Sequence, residues 1–178
     1  SNLGAAYNDV GKFDLALENE KKGLELRLKY YGEDHIEVSY SYLSLGNLYS
    51  RETMFHSALD FYKKAHRIKK KWLGKDHLDV ADAYGNLGCA YDDLKEYDKA
   101  IKKFTKEINI KTKIYGENHI RVADSYNNIA SVYYHQQDYK SALGNFLKSF
   151  HIRLKVYGNK HPDISSSFKD RKSTRLNS

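Results

Sequence analysis

Four histidines at a fixed spacing are the first residues whose type could support chemistry. Each closes a Gly-x-x-His tetrapeptide, and together they are His35, His77, His119 and His161, at intervals of 42 residues. Imidazole is a common zinc ligand, but zinc requires its ligands at about 2.0–2.1 Å, whereas stacked helical units would separate neighbouring histidines by the ~10 Å diameter of a helix. We therefore expect each histidine to bond the start of the helix that follows it. We expect no metal and no cofactor.

The single cysteine, Cys89, is the candidate nucleophile. A catalytic thiol needs a histidine partner and surroundings that lower its pKa, but Asp82, Asp92 and Asp93 lie close in sequence and would raise the pKa instead. The sequence also lacks a P-loop, a dinucleotide fingerprint, a paired-histidine zinc motif and a kinase signature. We therefore predict that the chain is not an enzyme and has no small-molecule substrate.

Composition narrows the class of protein further. The 178 residues suggest about one domain, with 30 basic and 23 acidic side chains and a formal net charge of +7. Mean hydropathy is −0.76, and no apolar run approaches the ~20 residues of a membrane-spanning helix. One cysteine excludes an internal disulfide and favours a reducing compartment. We therefore expect a cytoplasmic protein, and we include association with the cytoskeleton in that expectation.

The spacing of 42 residues extends to whole columns of residue types, which predicts the elements that position these side chains. One column holds Tyr7, Tyr49, Tyr91 and Tyr133, a second holds Ala16, Ala58, Ala100 and Ala142, and a third holds Leu3, Leu45, Leu87 and Ile129. Each unit contains two stretches with helical periodicity, separated by a short polar turn. The pattern predicts helix A over 37–52, 79–94 and 121–136. It predicts helix B over 12–31, 54–73, 96–115 and 138–157, with Gly158 ending the last B helix.

This column pattern resembles the tetratricopeptide repeat. In one unit the residues at that family's offsets are Tyr84, Leu87, Gly88, Tyr91, Ala100 and Phe104. The longer repeat and its Gly-x-x-His loop are similar to the kinesin light chain and nephrocystin-like branch, although Glu20 replaces an aromatic residue and Glu107 a small one. The resemblance implies an all-α fold, a right-handed α-solenoid of helix-turn-helix repeats. It also implies a non-catalytic protein-interaction module within a larger adaptor or scaffold.

The repeat also defines the expected domain organisation. A truncated repeat over 1–36 precedes full repeats over 37–78, 79–120 and 121–162 and a truncated fifth over 163–168. Residues 170–178 read DRKSTRLNS, which matches the in-frame translation of a widely used sequencing-library adapter. We therefore treat 169–178 as a non-native tail. Because repeat arrays need solubilising caps, we expect self-association through uncapped ends.

In tetratricopeptide arrays helix A lines a concave groove and helix B a convex face. At the groove-facing offsets the chain offers amides, carboxylates and a few other polar groups: Asn47, Arg51, Asp82, Asn86, Asp93, Asp124, Asn127, Asn128, Ser131 and Tyr134. Asparagine both donates and accepts hydrogen bonds, so it can pair with the backbone of any peptide, and aspartate favours lysine or arginine in the ligand. We therefore expect an extended peptide with basic residues as the partner.

Two other functions stay open at this point. The chain could be the repeat segment of a multidomain signalling ATPase or another enzyme whose catalytic domain lies elsewhere. Alternatively, the B helices, in which lysine and arginine outnumber acidic residues, could form a basic convex face that binds nucleic acid, acidic protein tails or anionic membrane. No aromatic-interleaved nucleic-acid motif accompanies these charges, so nucleic acid and membrane are not the expected partners.

Overall fold

The computed structural model describes residues 13–158, and every regular element in that range is an α-helix. The helices are α1 (Phe13–Tyr31), α2 (Ile36–Arg51), α3 (Phe55–Leu73), α4 (Leu78–Asp93), α5 (Tyr97–Tyr115), α6 (Ile120–His135) and α7 (Tyr139–Tyr157). Each begins and ends within one residue of its predicted range, and consecutive helices pack in pairs. The prediction of an all-α fold of the α-solenoid class is therefore confirmed. The fifth repeat over 163–168 and the tail over 169–178 lie outside the described residues.

The Gly-x-x-His histidines begin the A helices, as the sequence predicts. The Nδ1 atoms of His35, His77 and His119 each accept a hydrogen bond from the backbone N–H group two residues ahead. The donors are Glu37, Asp79 and Arg121, at 3.2, 3.1 and 3.2 Å respectively. An N-cap of this kind satisfies one of the backbone donors that a helix leaves without a partner at its start. The fourth histidine, His161, lies outside the described residues.

Residues with a positive φ angle follow the ends of the helices. The glycine after each B helix has a positive φ, as Gly158 was expected to have, and the four are Gly32, Gly74, Gly116 and Gly158. The turn from helix A to helix B instead uses residues with side chains. In the first such turn Thr53 has φ 59°, and the N–H of Met54 donates to the carbonyl of Tyr49 at 2.9 Å. This six-residue closure is a Schellman motif, and it terminates helix A so that helix B can fold back on it.

The chain divides into two compact units at residue 110. In the first unit α2 packs on both α1 and α3, and α4 packs on α3. In the second unit α6 packs on α7. The core of the first unit is a buried cluster from α3, α4 and α5: Ala58, Leu59, Tyr62, Val80, Ala81, Tyr84, Leu87, Ala90 and Ile110. These residues occupy the apolar stripes that the 42-residue columns predict.

Glycines let the A and B helices of the first unit approach closely. A Cβ atom added at Gly88 of α4 would lie 2.7 Å from the ring of Phe104 on α5, and one added at Gly46 of α2 would lie 2.5 Å from the ring of Tyr62 on α3. Neither distance is compatible with an ordinary contact between carbon atoms. The aromatic residue of helix B therefore packs directly onto the backbone of helix A.

Helix α7 exposes part of its apolar face, as expected for the last B helix. Leu143 is 60% exposed and Phe146 is 37% exposed. Their equivalents one and two repeats earlier are covered, since Phe104 is 2% and Leu59 is 5% exposed. Among the described helices, none combines the length and the apolar character that a bilayer crossing requires.

Candidate peptide-binding face

The predicted groove residues of the first unit lie on the outer sides of α2 and α4. Asp82, Asn86, Cys89 and Asp93 occur at intervals of four, three and four residues along α4, which places them on one side of the helix. All four are at least partly exposed, whereas the opposite side of α4 is buried in the core. Asn47 and Arg51 are exposed on α2 at the same repeat positions as Cys89 and Asp93. Asn47, Arg51, Asp82, Asn86, Cys89 and Asp93 are named here the A-helix face of the first unit.

Tyr62 connects the two helices of this face and was missed by the sequence analysis. Its hydroxyl group donates to Oδ1 of Asn47 at 2.9 Å. Burial raises the pKa of Tyr62 to about 12, a hydrogen bond with Ser50 opposes the rise, and Cys89 and Asp93 add to it. The phenol thus lies where Asn47 of α2 meets Cys89 and Asp93 of α4. The only sequence signal for this contact was that position 62 holds tyrosine, whereas the equivalent positions of the next two repeats hold Phe104 and Phe146.

Carboxylates make the α4 side of this face electronegative. Cys89 reaches solvent, yet burial and then the carboxylates of Glu107, Asp93 and Asp92 raise its pKa to about 11. The expected effect of Asp92 and Asp93 is therefore confirmed. Asp82 makes no such contribution, and Glu107 takes its place. The thiol is protonated at neutral pH, which is the opposite of what a nucleophile requires.

Glu107 reaches this region because α4 has a glycine opposite it. Its side chain is buried on α5, and a Cβ atom at Gly85 would lie 3.0 Å from its Oε1 atom. A larger residue at position 85 would displace the carboxylate. The departure from a small residue at 107 is thus accommodated by a small residue at 85, and it places a carboxyl group beneath the A-helix face.

The second unit carries the other predicted residues on α6. Asp124 is exposed and accepts a hydrogen bond from Nη2 of Arg153 at 2.6 Å, so its charge is largely neutralised within the unit. The hydroxyl of Ser131 donates to the carbonyl of Asn127 at 3.2 Å. Tyr134 is 58% exposed. Asn127 is exposed and Asn128 partly so, and this face is therefore mainly amide in character.

The prediction of a basic face on the B helices is wrong for two of its lysines. Lys69 is only 5% exposed, with its Nζ atom 3.4 Å from Asp79 and 5.0 Å from the ring centroid of Tyr40. Lys111, at the same position one repeat later, is 7% exposed. Both side chains turn inward because this position of helix B faces other helices. Neither lysine contributes charge to the outer surface.

A cavity of about 760 Å³ lies where the loop after α1 meets the end of α3. Asp34 pairs there with Lys71 at 2.6 Å and with Arg67 at 3.1 Å. These contacts, chiefly the one with Lys71, lower the pKa of Asp34. The indole N–H of Trp72 donates to the carbonyl oxygen of Asp34. Both cations thus pair with the same carboxylate. No group of three His, Cys, Asp or Glu side chains in residues 13–158 could hold a metal.

The repeat geometry agrees with a match to known sequences. The sequence profile of the tetratricopeptide repeat matches residues 1–71, 55–113 and 93–155. The chain belongs to the tetratricopeptide repeat family. Tetratricopeptide repeats are protein–protein interaction modules, and the helix pairs, N-caps and close A–B packing described above are the scaffold of such a module. A comparison with the curated proteins found no match.

Several solved structures share this fold. The structure of BtubC (BKLC) from P. vanneervenii has 22% identity and a TM-score of 0.79 over 90% of this chain. A putative kinesin light chain from Podosopora anserina with nearly identical TPR-like repeats has 19% identity and a TM-score of 0.81 over 93% of this chain, and 79% of its own chain is covered. MamA has 27% identity and a TM-score of 0.63 over 87% of this chain and 77% of its own. The chain spans 63% of the length of BtubC.

Proposed function

We propose that the chain is a non-catalytic protein-interaction module whose A-helix face in the first unit binds an extended peptide that carries lysine or arginine. The observation that supports this most strongly is the grouping of amides and carboxylates on α2 and α4, joined at Tyr62. Asn47 and Asn86 offer donors and acceptors. Asp82 and Asp93 offer negative charge.

The two kinds of side chain have separate roles in this proposal. Each asparagine amide pairs with backbone groups of an extended ligand, which demands no particular sequence. The carboxylates of α4 would select for cations, and after burial and Glu107 two of them, Asp93 and Asp92, add to the raised pKa of Cys89. Since the side chains project from packed helices, little conformational entropy is lost on binding.

The residues of α6 extend the proposal to the second unit. Asn127, Asn128 and Ser131 would pair with peptide backbone, and the exposed ring of Tyr134 would contact an apolar side chain. Asp124 is engaged by Arg153 at 2.6 Å, so the amides and Tyr134 would make most of the contacts in the second unit.

The test uses two synthetic peptides that differ only in charge. One alternates lysine and arginine with alanine and serine, and the other replaces each basic residue by glutamate. Asp82→Asn/Asp93→Asn should weaken binding of the basic peptide about tenfold, because each exposed ion pair contributes up to ~1 kcal/mol. The matched control Asp60→Asn/Asp98→Asn makes the same change of net charge on the B helices and should have little effect.

Asn86→Ala should weaken both peptides alike wherever they occupy this face, since the amide contacts backbone. Fluorescence anisotropy gives the dissociation constants at low and moderate salt. Equal losses in the test and control variants would contradict the proposal, because they would show that only net charge matters.

A further inference from the structure

Three lysines of α5 lie over two tyrosines of α4, and two lysines of α3 act electrostatically on one of the three, Lys103. The five are Lys63, Lys70, Lys99, Lys103 and Lys106, named here the lysine cluster. The ammonium group of Lys106 lies 5.4 Å and that of Lys103 lies 5.8 Å from the ring centroid of Tyr84. Lys103 is also 5.9 Å and Lys99 5.5 Å from the ring centroid of Tyr91. Two aromatic rings thus hold cations from one helix in fixed positions.

Carboxylates of the protein pair with only two of the five lysines in this cluster. Lys63 pairs with Asp60 on the same helix, α3. Lys99 pairs with Glu96, which is the residue just before α5. In the part of the chain that the structure describes, no carboxylate forms an ion pair with Lys70, Lys103 or Lys106. The pKa of Lys103 is lowered by burial and then by Lys106, Lys63 and Lys70. The lysines therefore repel one another, and an anion between them would relieve that repulsion.

The repeat fold does not require four of these five lysines. The fifth, Lys106, recurs one repeat later as Lys148, whose ammonium group lies 5.3 Å from the ring centroid of Tyr126. At the positions equivalent to Lys63, Lys70, Lys99 and Lys103 one repeat later, the chain has Thr105, Thr112, Ser141 and Asn145. Polar uncharged residues therefore satisfy the same sites in the same architecture. The concentration of positive charge is therefore specific to α3 and α5 and is not repeated in the next helix pair.

We propose that the lysine cluster is a second interaction surface, which binds a flexible acidic segment of a partner protein through its aspartate and glutamate side chains. Carboxylates spaced along such a segment can reach ammonium groups on both α3 and α5. The surface is separate from the A-helix face, so one molecule could hold two partners of opposite charge.

The surroundings of the cluster favour an acidic protein segment over nucleic acid or membrane. Tyr84 is 7% exposed and Tyr91 is half-buried, so neither ring offers a face on which a base could stack. The large exposed apolar residues of α3 and α5 are Trp72 and Ile114 near the helix ends, and no apolar patch adjoins the lysines for insertion into a bilayer. Charge is therefore the main feature that a ligand could recognise.

The test measures binding of the glutamate peptide described above, a single-stranded oligonucleotide and phosphatidylserine vesicles to the full chain. Lys103→Gln/Lys106→Gln should weaken the glutamate peptide by about tenfold or more, by loss of two screened ion pairs of up to ~1 kcal/mol each. The control Lys21→Gln/Lys75→Gln removes the same charge from exposed positions on α1 and in the loop after α3, and it should change affinity by less than about twofold.

Three results would overturn the inference. Equal losses in both double variants would assign the binding to net charge. Tighter binding of the oligonucleotide or of the vesicles would assign the cluster to a different class of partner. Failure of the glutamate peptide to bind the wild-type protein at low salt would show that the lysine cluster is not a binding surface. Binding of the basic peptide should be unaffected by Lys103→Gln/Lys106→Gln, so this proposal and the proposed function fail independently.

Discussion

At the scale of single residues, Cys89 reports the electrostatics of the A-helix face. It is the only cysteine of the chain, it reaches solvent, and its pKa is raised to about 11 by burial and by three carboxylates. Alkylation by iodoacetamide requires the thiolate. At pH 8 the thiolate fraction should be about 100-fold smaller than that of a thiol with the reference value of 9.0, since each pKa unit is a factor of ten. The pH dependence of the alkylation rate measures this directly.

Removal of the carboxylates should move the thiol pKa in a known direction. Asp92→Asn/Asp93→Asn lowers the negative charge around Cys89, so the pKa should fall and alkylation at pH 8 should accelerate. Asp60→Asn/Asp98→Asn, which changes charge away from α4, should leave the rate near that of wild type. A rate in the first variant that matches wild type would mean that burial and Glu107, without Asp92 and Asp93, set the pKa.

At the scale of helices, close packing of helix A on helix B depends on glycine. Gly88→Ala would place a Cβ atom 2.7 Å from the ring of Phe104. Overpacking of this kind costs about 1–3 kcal/mol, so the variant should be less stable although alanine favours helix. A Cβ atom added at Gly144 of α7 would meet no atom within 4 Å, and Gly144→Ala should stabilise by up to ~1 kcal/mol. Urea denaturation of the two variants checks both signs, and a stabilised Gly88→Ala would contradict the packing.

A half-buried histidine on α3, His66, should make stability depend on pH. Burial and then Lys103, Lys70 and Lys106 lower the pKa of His66 from 6.5 to about 4, and its Nε2 atom is buried without a hydrogen-bond partner. The unfolded chain therefore binds a proton at a higher pH than the folded chain does. This contribution to stability is present above pH 6.5 and is lost as pH falls towards 4, by up to ~3 kcal/mol.

The variant His66→Ile isolates this effect, because the equivalent residue one repeat later is the buried Ile108. It should remain folded, and its free energy of unfolding should fall less steeply than that of wild type between pH 6.5 and 4. Carboxylates also titrate in this range, so the difference between the two proteins is the quantity to compare. Parallel pH profiles would contradict a depressed histidine pKa.

The helices were predictable from sequence, and the connections between them only in part. The 42-residue columns predicted helix bounds to within one residue, because each buried stripe and each loop glycine recurs in every unit. The histidine caps followed from the same regularity. The inward turn of Lys69 and the link between Asn47 and Tyr62 were not predictable, since both depend on how side chains of different helices meet. Local sequence does not contain that information.

At the scale of the whole molecule, the exposed face of α7 leads to a prediction about association. Leu143 and Phe146 are 60% and 37% exposed where the equivalent residues of the first unit are covered. A second copy of the chain could bury this apolar surface, with a gain of about 25 cal/mol per Å². Sedimentation at increasing concentration should show reversible self-association, and Leu143→Gln should weaken it. A monomer at all concentrations would contradict the prediction.

The A-helix face of the first unit should bind a basic extended peptide. Backbone amide chemical shifts would show which residues that peptide contacts. The isotope-labelled protein would be titrated with the lysine and arginine peptide, with the glutamate peptide as the second arm. The basic peptide should shift the resonances of Asn47, Asn86 and Asp93 and leave those of Lys63, Lys70 and Lys103 in place. Shifts confined to the lysine cluster, or no shifts at saturating peptide, would contradict this expectation.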